Sequence, residues 1–185
     1  MKLNERASLA AGIDPAAKPE QLQLSKRPFR NQYHFGPMGF VAVQIIKRMA
    51  DKGWPAVRHG DFIRSAAEQK RLRAAGRSKA GPWESPHQYG LGVDIIHATR
   101  GWDVSDRFWE DLAAIVKVVA REYGVELEHG HYWKFKDSAH VELKNFRQYR
   151  TLWFGREPTQ KDLNLAFMRE LPKVWKAYHK SIKGS

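Results

Sequence analysis

Apolar positions recur at helical spacing in three long segments of the chain. In each segment one apolar residue follows another after three or four positions, the pattern of a helix that buries a single face. A shorter helix is predicted where Ser65 and Glu68 form a capping-box pattern, and Gly76 ends it. The predicted helices therefore cover residues 39–51, 65–76 and 105–124, and a last one runs from Thr159 towards the C-terminus.

Short apolar runs lie between these helices and predict strands. Four such runs occur, at residues 57–63, 93–96, 125–128 and 139–143. Strands and helices follow one another without the regular alternation of a parallel α/β fold. We therefore predict an α+β fold in which a small antiparallel sheet is flanked by helices.

The chain divides into three parts. Residues 1–36 contain Pro15, Pro19 and Pro28, which break any long helix, and are predicted to be an irregular N-terminal extension. Residues 37–150 hold most of the predicted elements and form the main domain. Residues 151–185 are predicted to form a basic amphipathic helix that packs on the same domain.

The composition of the chain limits which residues can bind a metal or act as a nucleophile, and its charge indicates which partners attract it. The chain of 185 residues has no cysteine, so any metal must be held by His, Asp or Glu, and a cysteine nucleophile is excluded. The formal net charge of +12 predicts attraction to nucleic acid, an anionic cell-wall polymer or a membrane surface. No apolar run approaches the ~20 residues of a membrane span. Residues 1–13 lack the apolar core of a secretory signal, so we expect synthesis in the cytoplasm.

Two short segments contain the residues that could bind a metal ion and accept a proton from water. The first runs from Ser85 to Asp94, contains His87, and has two glycines that allow a tight turn. The second contains Asp137 and His140. Two imidazoles and a carboxylate that leave one position open are the ligand set of a catalytic zinc ion, and a further carboxylate can accept a proton from water at such a site. Together the segments predict a zinc peptidase.

In these segments the chain resembles the D-alanyl-D-alanine carboxypeptidase / L-alanyl-D-glutamate peptidase superfamily of zinc peptidases, and above all its phage-endolysin branch. The family pattern is S-x-H-x-x-G-x-A-x-D, then D/E-x-x-H after a turn that contains Trp, with an R-S-x-x-x-Q stretch upstream. The resemblance covers about residues 40–147 and implies a Hedgehog/D,D-peptidase-like form of the α+β fold. The matching residues are Arg64, Ser65, Gln69, Ser85, His87, Gly90, Asp94, Trp133, Asp137 and His140.

The resemblance implies a role for each of these positions. Asp137 would be the catalytic acid/base, and Arg64 would bind a carboxylate or carbonyl oxygen of the substrate. Three residues would share the role of Zn²⁺ ligand: His87, Asp94 and His140. Three others are candidates for substrate binding: Ser85, Gln69 and Trp133.

The chain departs from the family pattern at a few positions. Pro86 precedes the first ligand, and Gly92 stands where the family has a small Ala. Ahead of the matching Trp, many relatives have W-G-G-D, whereas this chain has His129, a glycine, His131 and Tyr132. A structural role is the default for both histidines, with metal binding as the alternative.

The sequence thus predicts a zinc-dependent peptidase of peptidoglycan stem peptides, and the resemblance favours an L-alanyl-D-glutamate endopeptidase acting as a phage-type endolysin. A D-alanyl-D-alanine carboxypeptidase or dipeptidase would use the same metal site. A basic nucleic-acid-binding or wall-binding protein without activity is the alternative outside this class, but no helix-turn-helix or RNA-binding signature supports nucleic acid as a specific partner. We expect a monomer that binds peptidoglycan, aided by an anionic wall or membrane surface, after release from the cytoplasm.

Overall fold

Three helices and four strands make up the described part of the chain. The structure is a computed structural model and describes residues 37–59, residues 64–147 and Lys176. The helices are α1 (Pro37–Asp51), α2 (Ala66–Ala74) and α3 (Asp106–Tyr123). The strands are β1 (Ala56–His59), β2 (Gly92–His97), β3 (Leu127–His129) and β4 (His140–Leu143). There are also two short 3₁₀ helices. Pro86–Tyr89 precedes β2, and Gly130–Tyr132 follows β3.

The four strands form one antiparallel sheet in the order β1-β2-β4-β3. The predicted α+β class with a small antiparallel sheet is therefore confirmed. In the register of this sheet, Asp94 on β2 pairs with His59 of β1 on one side and with His140 of β4 on the other. Because directly paired residues point to the same face of a sheet, these three side chains form one row across it.

The core lies where α1 and α3 pack on each other and on the sheet. Both helices contribute the apolar stripes that the sequence predicts, and the central strands contribute alternating apolar residues. Residues that are fully or almost fully buried include Val41, Ile45, Leu112, Val116, Val93 and Val141. No helix in the described part of the chain is long and apolar enough to cross a membrane.

The helix ends mostly follow the predicted signals. Ser65 caps α2, since its hydroxyl oxygen accepts a hydrogen bond from the backbone N–H of Glu68 at 3.1 Å. Gly124 ends α3 in the left-handed conformation, with φ 59°, which glycine adopts without steric cost. Ser105 occupies the N-cap position of α3, but its side chain makes no capping hydrogen bond.

Some predicted bounds differ from the observed ones or lie outside the described residues. The predicted strand 57–63 is observed as Ala56–His59, and residues 60–63 are outside the described part. Strand β3 begins at Leu127, two residues later than predicted, because Val125 is still bonded to the end of α3 through the carbonyl of Ala120 at 2.9 Å. The N-terminal extension and the C-terminal helix also lie outside, apart from Lys176, which is helical. The three-part division stays a prediction.

Asp111 ties α3 to the segment that follows α1. Its carboxylate accepts hydrogen bonds from Lys52 Nζ at 2.7 Å, Trp54 Nε1 at 2.9 Å and Arg107 Nε at 3.2 Å. The bonds from Lys52 and Trp54 lower the pKa of Asp111 to about 2. This group therefore stabilises the fold above the ordinary carboxyl pKa, and the contribution is lost as pH falls towards 2.

We expect Asp111→Asn to lower the free energy of unfolding at pH 7 by about 1–2 kcal/mol. The lowered pKa of Asp111 corresponds to ~2.4 kcal/mol, and solvent screens part of this interaction because the cations of Lys52 and Arg107 are exposed. Urea unfolding at pH 7 and at pH 2.5 tests this. The difference between the variant and the unmodified protein should shrink at pH 2.5. Equal stability at pH 7 would contradict the assigned role.

Candidate metal centre

Three predicted metal ligands come from three different elements and meet at one point. His87 lies on the 3₁₀ helix Pro86–Tyr89, which Ser85 caps and Gly90 ends in a left-handed conformation. Asp94 lies on β2, and His140 is the first residue of β4, paired with it across the sheet. The tight turn at the glycine aims the imidazole of His87 back towards the strand that follows it.

The distances among the candidate ligand atoms fit a tetrahedral metal. His87 Nε2 lies 3.2 Å from His140 Nδ1 and 3.4 Å from Asp94 Oδ1, and the last two atoms are 2.9 Å apart. With zinc–ligand bonds of about 2.0–2.1 Å, the edge of a tetrahedron is about 3.3 Å. A cation at the centre would satisfy three electron-pair donors at once, which one shared proton cannot do. The three residues therefore fit a zinc ion.

Burial and charge set the protonation of these groups. Burial lowers the pKa of His87, which favours the neutral imidazole that a metal needs. Burial alone would raise the pKa of Asp94, but the nearby His87 and His140 hold it well below its usual range. For His140, burial would lower the pKa, yet its hydrogen bonds with Asp94 and Glu142 raise it to about 9.

Glu142 is a functional residue that the sequence reasoning missed. Its Oε2 atom lies 2.9 Å from His140 Nε2, the ring nitrogen that faces away from the other candidate ligands, and both side chains are buried. A carboxylate that accepts the second N–H of a metal-bound imidazole fixes the orientation of the ring and makes it a stronger ligand. The signal was present in the sequence, because residues two apart on a strand share a face.

We expect Glu142→Gln to weaken zinc binding by about 10- to 100-fold, since it removes the charge that supports His140. Chelator competition measures the affinity. The matched control is Glu128→Gln, because Glu128 pairs with Glu142 across the sheet, whereas the hydrogen bond with the imidazole of His140 is made by Glu142. Unchanged affinity in Glu142→Gln, or an equal loss in both variants, would count against this positioning role.

Zinc binding should also depend on pH through His140. Its pKa is about 9 in the metal-free protein against an ordinary 6.5, so the imidazolium stabilises the metal-free fold below pH 6.5, and this contribution is lost as pH rises through about 9. Zinc must displace that proton. The apparent affinity should therefore rise about tenfold per pH unit between pH 6 and 8. Calorimetry in buffers of different ionisation enthalpy should count about one released proton, and the absence of any release would refute the assignment.

The turn before β4 brings Asp137 to the site. The backbone N–H of Asp137 donates to Gly130 O at 2.9 Å, and His140 N–H donates to Asp137 O at 3.1 Å. A Cβ at position 130 would collide with the carbonyl oxygen of Asp137, so only glycine allows this close approach. Asp137 is exposed as a residue, but partial desolvation of its carboxyl raises the pKa, His140 and His87 lower it, and Asp94 raises it, so this carboxyl lies within the electrostatic reach of all three candidate ligands.

His129 and His131 support this turn in the structure. His129 Nε2 lies 2.9 Å from the carbonyl oxygen of Ser138, and His131 Nδ1 lies 3.0 Å from the hydroxyl of the same serine. Burial lowers the pKa of His129 to about 4, so its imidazole is neutral and donates to that carbonyl. Among the described residues, the group that could hold a metal consists of His87, Asp94 and His140. The two additional histidines are hydrogen-bonding residues of the turn.

Two departures from the family pattern compensate each other. A Cβ at Gly92 would lie 2.9 Å from Pro86 Cγ and 3.2 Å from His140 Cε1. The proline ring thus occupies space that the usual Ala side chain would need, and glycine restores the room. The ring of His140 keeps its place as a result.

The remaining predicted site residues surround the ligands. The guanidinium of Arg64 donates to Gln69 Oε1 at 2.9 Å, and its positive charge lowers the pKa of His87, so it lies near the centre. Gln69 is fully buried, and its amide also donates to Ser78 Oγ and to the carbonyl of Ala80, each at 2.8 Å. In this position Gln69 orients Arg64 and holds the loop before the metal motif.

Ser85 and Trp133 differ in their access to a substrate. Ser85 is buried and caps the 3₁₀ helix, where its hydroxyl accepts from the backbone N–H of His87 at 3.4 Å. The ring of Trp133 is partly exposed and its centroid lies 5.4 Å from that of His140. Trp133 therefore lies beside the candidate metal centre at the protein surface, and the binding roles of both residues stay predictions.

A buried His–Asp–His group beside a further carboxylate, on a small antiparallel sheet, is the arrangement that a metallopeptidase needs. No family model matches the chain. Among solved structures, the chain is similar to the L-Ala D-Glu endopeptidase ChiX of Serratia marcescens. The two chains are 31% identical, the match covers 59% of this chain and 81% of that chain, and the TM-score is 0.46. The identity and its extent show that the chain belongs to the peptidase family of that enzyme.

Proposed function

We propose that this protein is a zinc-dependent peptidase that hydrolyses peptidoglycan stem peptides between L-alanine and D-glutamate. The observation that carries the proposal is the convergence of His87, Asp94 and His140 at distances that suit one tetrahedral cation. The 31% identity to a peptidase of this bond supports the choice of substrate. The anionic character of peptidoglycan also suits a protein with a net charge of +12.

The three candidate ligands would hold zinc with one coordination position open. A zinc ion held there would supply a Lewis acid and lower the pKa of a water molecule. His87 provides a neutral nitrogen, Asp94 provides the negative charge, and Glu142 keeps the ring of His140 oriented. These residues are fixed by the sheet register and the 3₁₀ helix, so the site is organised before substrate binds.

Asp137 is the residue that moves the proton. Its raised pKa shifts the carboxyl towards the range in which one group can accept a proton and later return it near neutral pH. The carboxylate takes a proton from the attacking water and passes it to the amine of the leaving residue. The hydrogen bonds of Asp137 with Gly130 and His140 hold the backbone of this residue beside the ligands during both transfers.

Arg64 supplies the positive charge of the site. Gln69 accepts from its guanidinium and is itself fixed by two hydrogen bonds in a fully buried position. A guanidinium placed in this way can bind the carbonyl oxygen of the scissile bond, on which negative charge develops, or a nearby substrate carboxylate. Because Gln69 constrains Arg64, little reorganisation is needed when substrate binds.

Mass spectrometry of a muropeptide digest tests the proposal. Zinc-loaded full-length protein is expected to release peptides with a free N-terminal D-glutamate from purified peptidoglycan, and chelation should stop the release. Release of terminal D-alanine instead would identify a carboxypeptidase or dipeptidase with the same metal site. Hydrolysis that persists after complete removal of the metal would refute zinc dependence.

The proposal includes the role of a phage-type endolysin that is made in the host cytoplasm and reaches the wall after release. Expression in a bacterial host should then leave the culture intact until the inner membrane is permeabilised, and turbidity should fall after that step. Lysis without permeabilisation would contradict this route to the wall. Binding of the purified protein to wall preparations should weaken with added salt, as attraction to an anionic polymer requires.

A further inference from the structure

An exposed loop of aromatic and basic residues borders the candidate metal centre, and nothing in the proposed mechanism uses it. The loop covers residues 132–136, and we call it the aromatic loop. Its side chains include Phe135, which is 71% exposed, Tyr132, which is 61% exposed, and Trp133, which is 37% exposed. Large apolar side chains grouped on a surface in this way commonly mark a binding site.

Backbone hydrogen bonds fix the base of the loop next to Asp137, the proposed acid/base. The carbonyl oxygen of Gly130 accepts hydrogen bonds from the N–H groups of both Trp133, at 3.2 Å, and Asp137, at 2.9 Å. The ring of Trp133 lies beside His140 on one side. On the other side, Lys79 Nζ lies 3.6 Å from the centroid of the Phe135 ring, and Lys79 belongs to the loop that leads to His87. The aromatic loop thus extends from one ligand-bearing segment towards the other.

The loop is also basic. Lys117 Nζ lies 4.5 Å from the centroid of the Tyr132 ring, and two further lysines, Lys134 and Lys136, lie within the loop and are exposed. Just before the loop, burial and the charge of Lys136 lower the pKa of His131, and the carboxylates of Asp106 and Glu110 on α3 oppose this shift. The tip around Phe135 therefore combines an apolar ring with several ammonium groups, a combination that suits a sugar ring linked to acidic groups.

We propose that the aromatic loop binds the muramyl sugar that carries the stem peptide, with its lysines facing the carboxylates of that peptide. This inference rests on the proposed function. L-alanine is the residue that joins the stem peptide to the sugar, so in a peptide cut after L-alanine the sugar lies only one residue from the scissile bond. One extended residue spans at most about 3.6 Å, which places the sugar within about 10 Å of the reacting carbonyl.

That distance matches the position of the aromatic loop and favours the sugar over other occupants. The loop ends directly before Asp137, and the centroid of the Trp133 ring lies 5.4 Å from that of the His140 ring. A cut between the terminal D-alanines would instead leave the sugar about three residues further away, roughly 10 Å beyond this reach. An acidic lipid surface could also attract lysines and aromatic rings, so it is an outcome that the experiment must separate.

The test compares two substrates on each protein sample. One is the N-acetylated stem tetrapeptide, and the other is the same tetrapeptide on N-acetylmuramic acid, so that neither has a free amine at L-alanine. We expect zinc-loaded protein to have a higher kcat/KM for the sugar-linked peptide. Phe135→Ala should reduce the ratio of the two values by about three- to tenfold, the effect of losing one aromatic contact. The ratio does not depend on how much of the sample is active.

The matched control is Val118→Ala, which removes exposed apolar surface from α3 instead of from the loop, and it should leave the ratio unchanged. A ratio of one in the unmodified protein, or an unchanged ratio in Phe135→Ala, would overturn the inference and leave the proposed function intact. Loss of binding to phosphatidylglycerol vesicles in Phe135→Ala with the ratio intact would also overturn it in favour of a lipid surface. If neither peptide is hydrolysed, the proposed function fails, and equilibrium binding of the same two ligands tests the loop by itself. Tighter binding of the sugar-linked peptide by the unmodified protein, lost in Phe135→Ala, would then support sugar binding by the aromatic loop.

Discussion

Replacing Asp137 by asparagine is expected to lower kcat by about 10²- to 10⁴-fold, the range that a positioned general acid/base contributes. Asparagine has nearly the same size and can keep the backbone hydrogen bonds with Gly130 and His140, but its amide cannot accept a proton from water. The three candidate ligands are not altered. The variant should therefore bind zinc with the same stoichiometry while turnover is lost.

Single-turnover kinetics on a muropeptide, together with elemental analysis of the same sample, checks this result. The control is Asp103→Asn, which changes an exposed carboxylate outside the candidate centre. Activity within a few-fold of the unmodified protein in Asp137→Asn would exclude this carboxylate as the proton carrier. Loss of zinc from that variant would instead assign Asp137 to the metal ligands.

His87→Ala should remove bound zinc and reduce hydrolysis below detection. The variant leaves Asp94 and His140 without a third ligand, a larger loss than the roughly 10- to 100-fold that removal of an outer hydrogen-bond partner costs. Those two residues still share a hydrogen bond at 2.9 Å, so the sheet should keep its register without His87. Circular dichroism and thermal unfolding would verify that the fold persists.

His59→Ala is the matched control for this experiment. His59 lies in the same row across the sheet and pairs directly with Asp94, but it does not belong to the group that could hold a metal. Its removal should leave the zinc content unchanged. Retention of one zinc per chain in His87→Ala, or equal loss in both variants, would refute the assignment of His87 as a ligand.

The elements that carry the candidate ligands could be predicted from the sequence because each element follows from a local rule, whereas the ligand roles came from the family resemblance. The glycine at position 90 predicts a tight turn after His87, and the structure shows the left-handed conformation there. The apolar residues around Asp94 and His140 predict strands, and two strands that each carry a ligand can pair. Amphipathic helices such as α3 follow from spacing alone, because burial of one face determines them.

Contacts that depend on neighbours distant in the sequence were not predictable in the same way. The buried amide of Gln69 holds both Arg64 and the loop at Ser78, but its spacing shows only that it lies on a helix. The compensation between Pro86 and Gly92 requires the position of the His140 ring, which comes from another strand. Such packing relations appear only after the strands have been placed together.

The pairing of Asp94 with His140 limits how this protein can be altered. Adjacent residues of a strand face opposite sides of the sheet, so one amino acid inserted or deleted within β2 or β4 would send a ligand into the apolar interior. Added residues between Ala98 and Ser105 would leave the strand pairing intact, since β2 ends at His97 and α3 begins at Asp106. Homologous loops could therefore be exchanged in that connection without displacing a candidate ligand, whereas recombination points inside the two strands should yield inactive chimaeras.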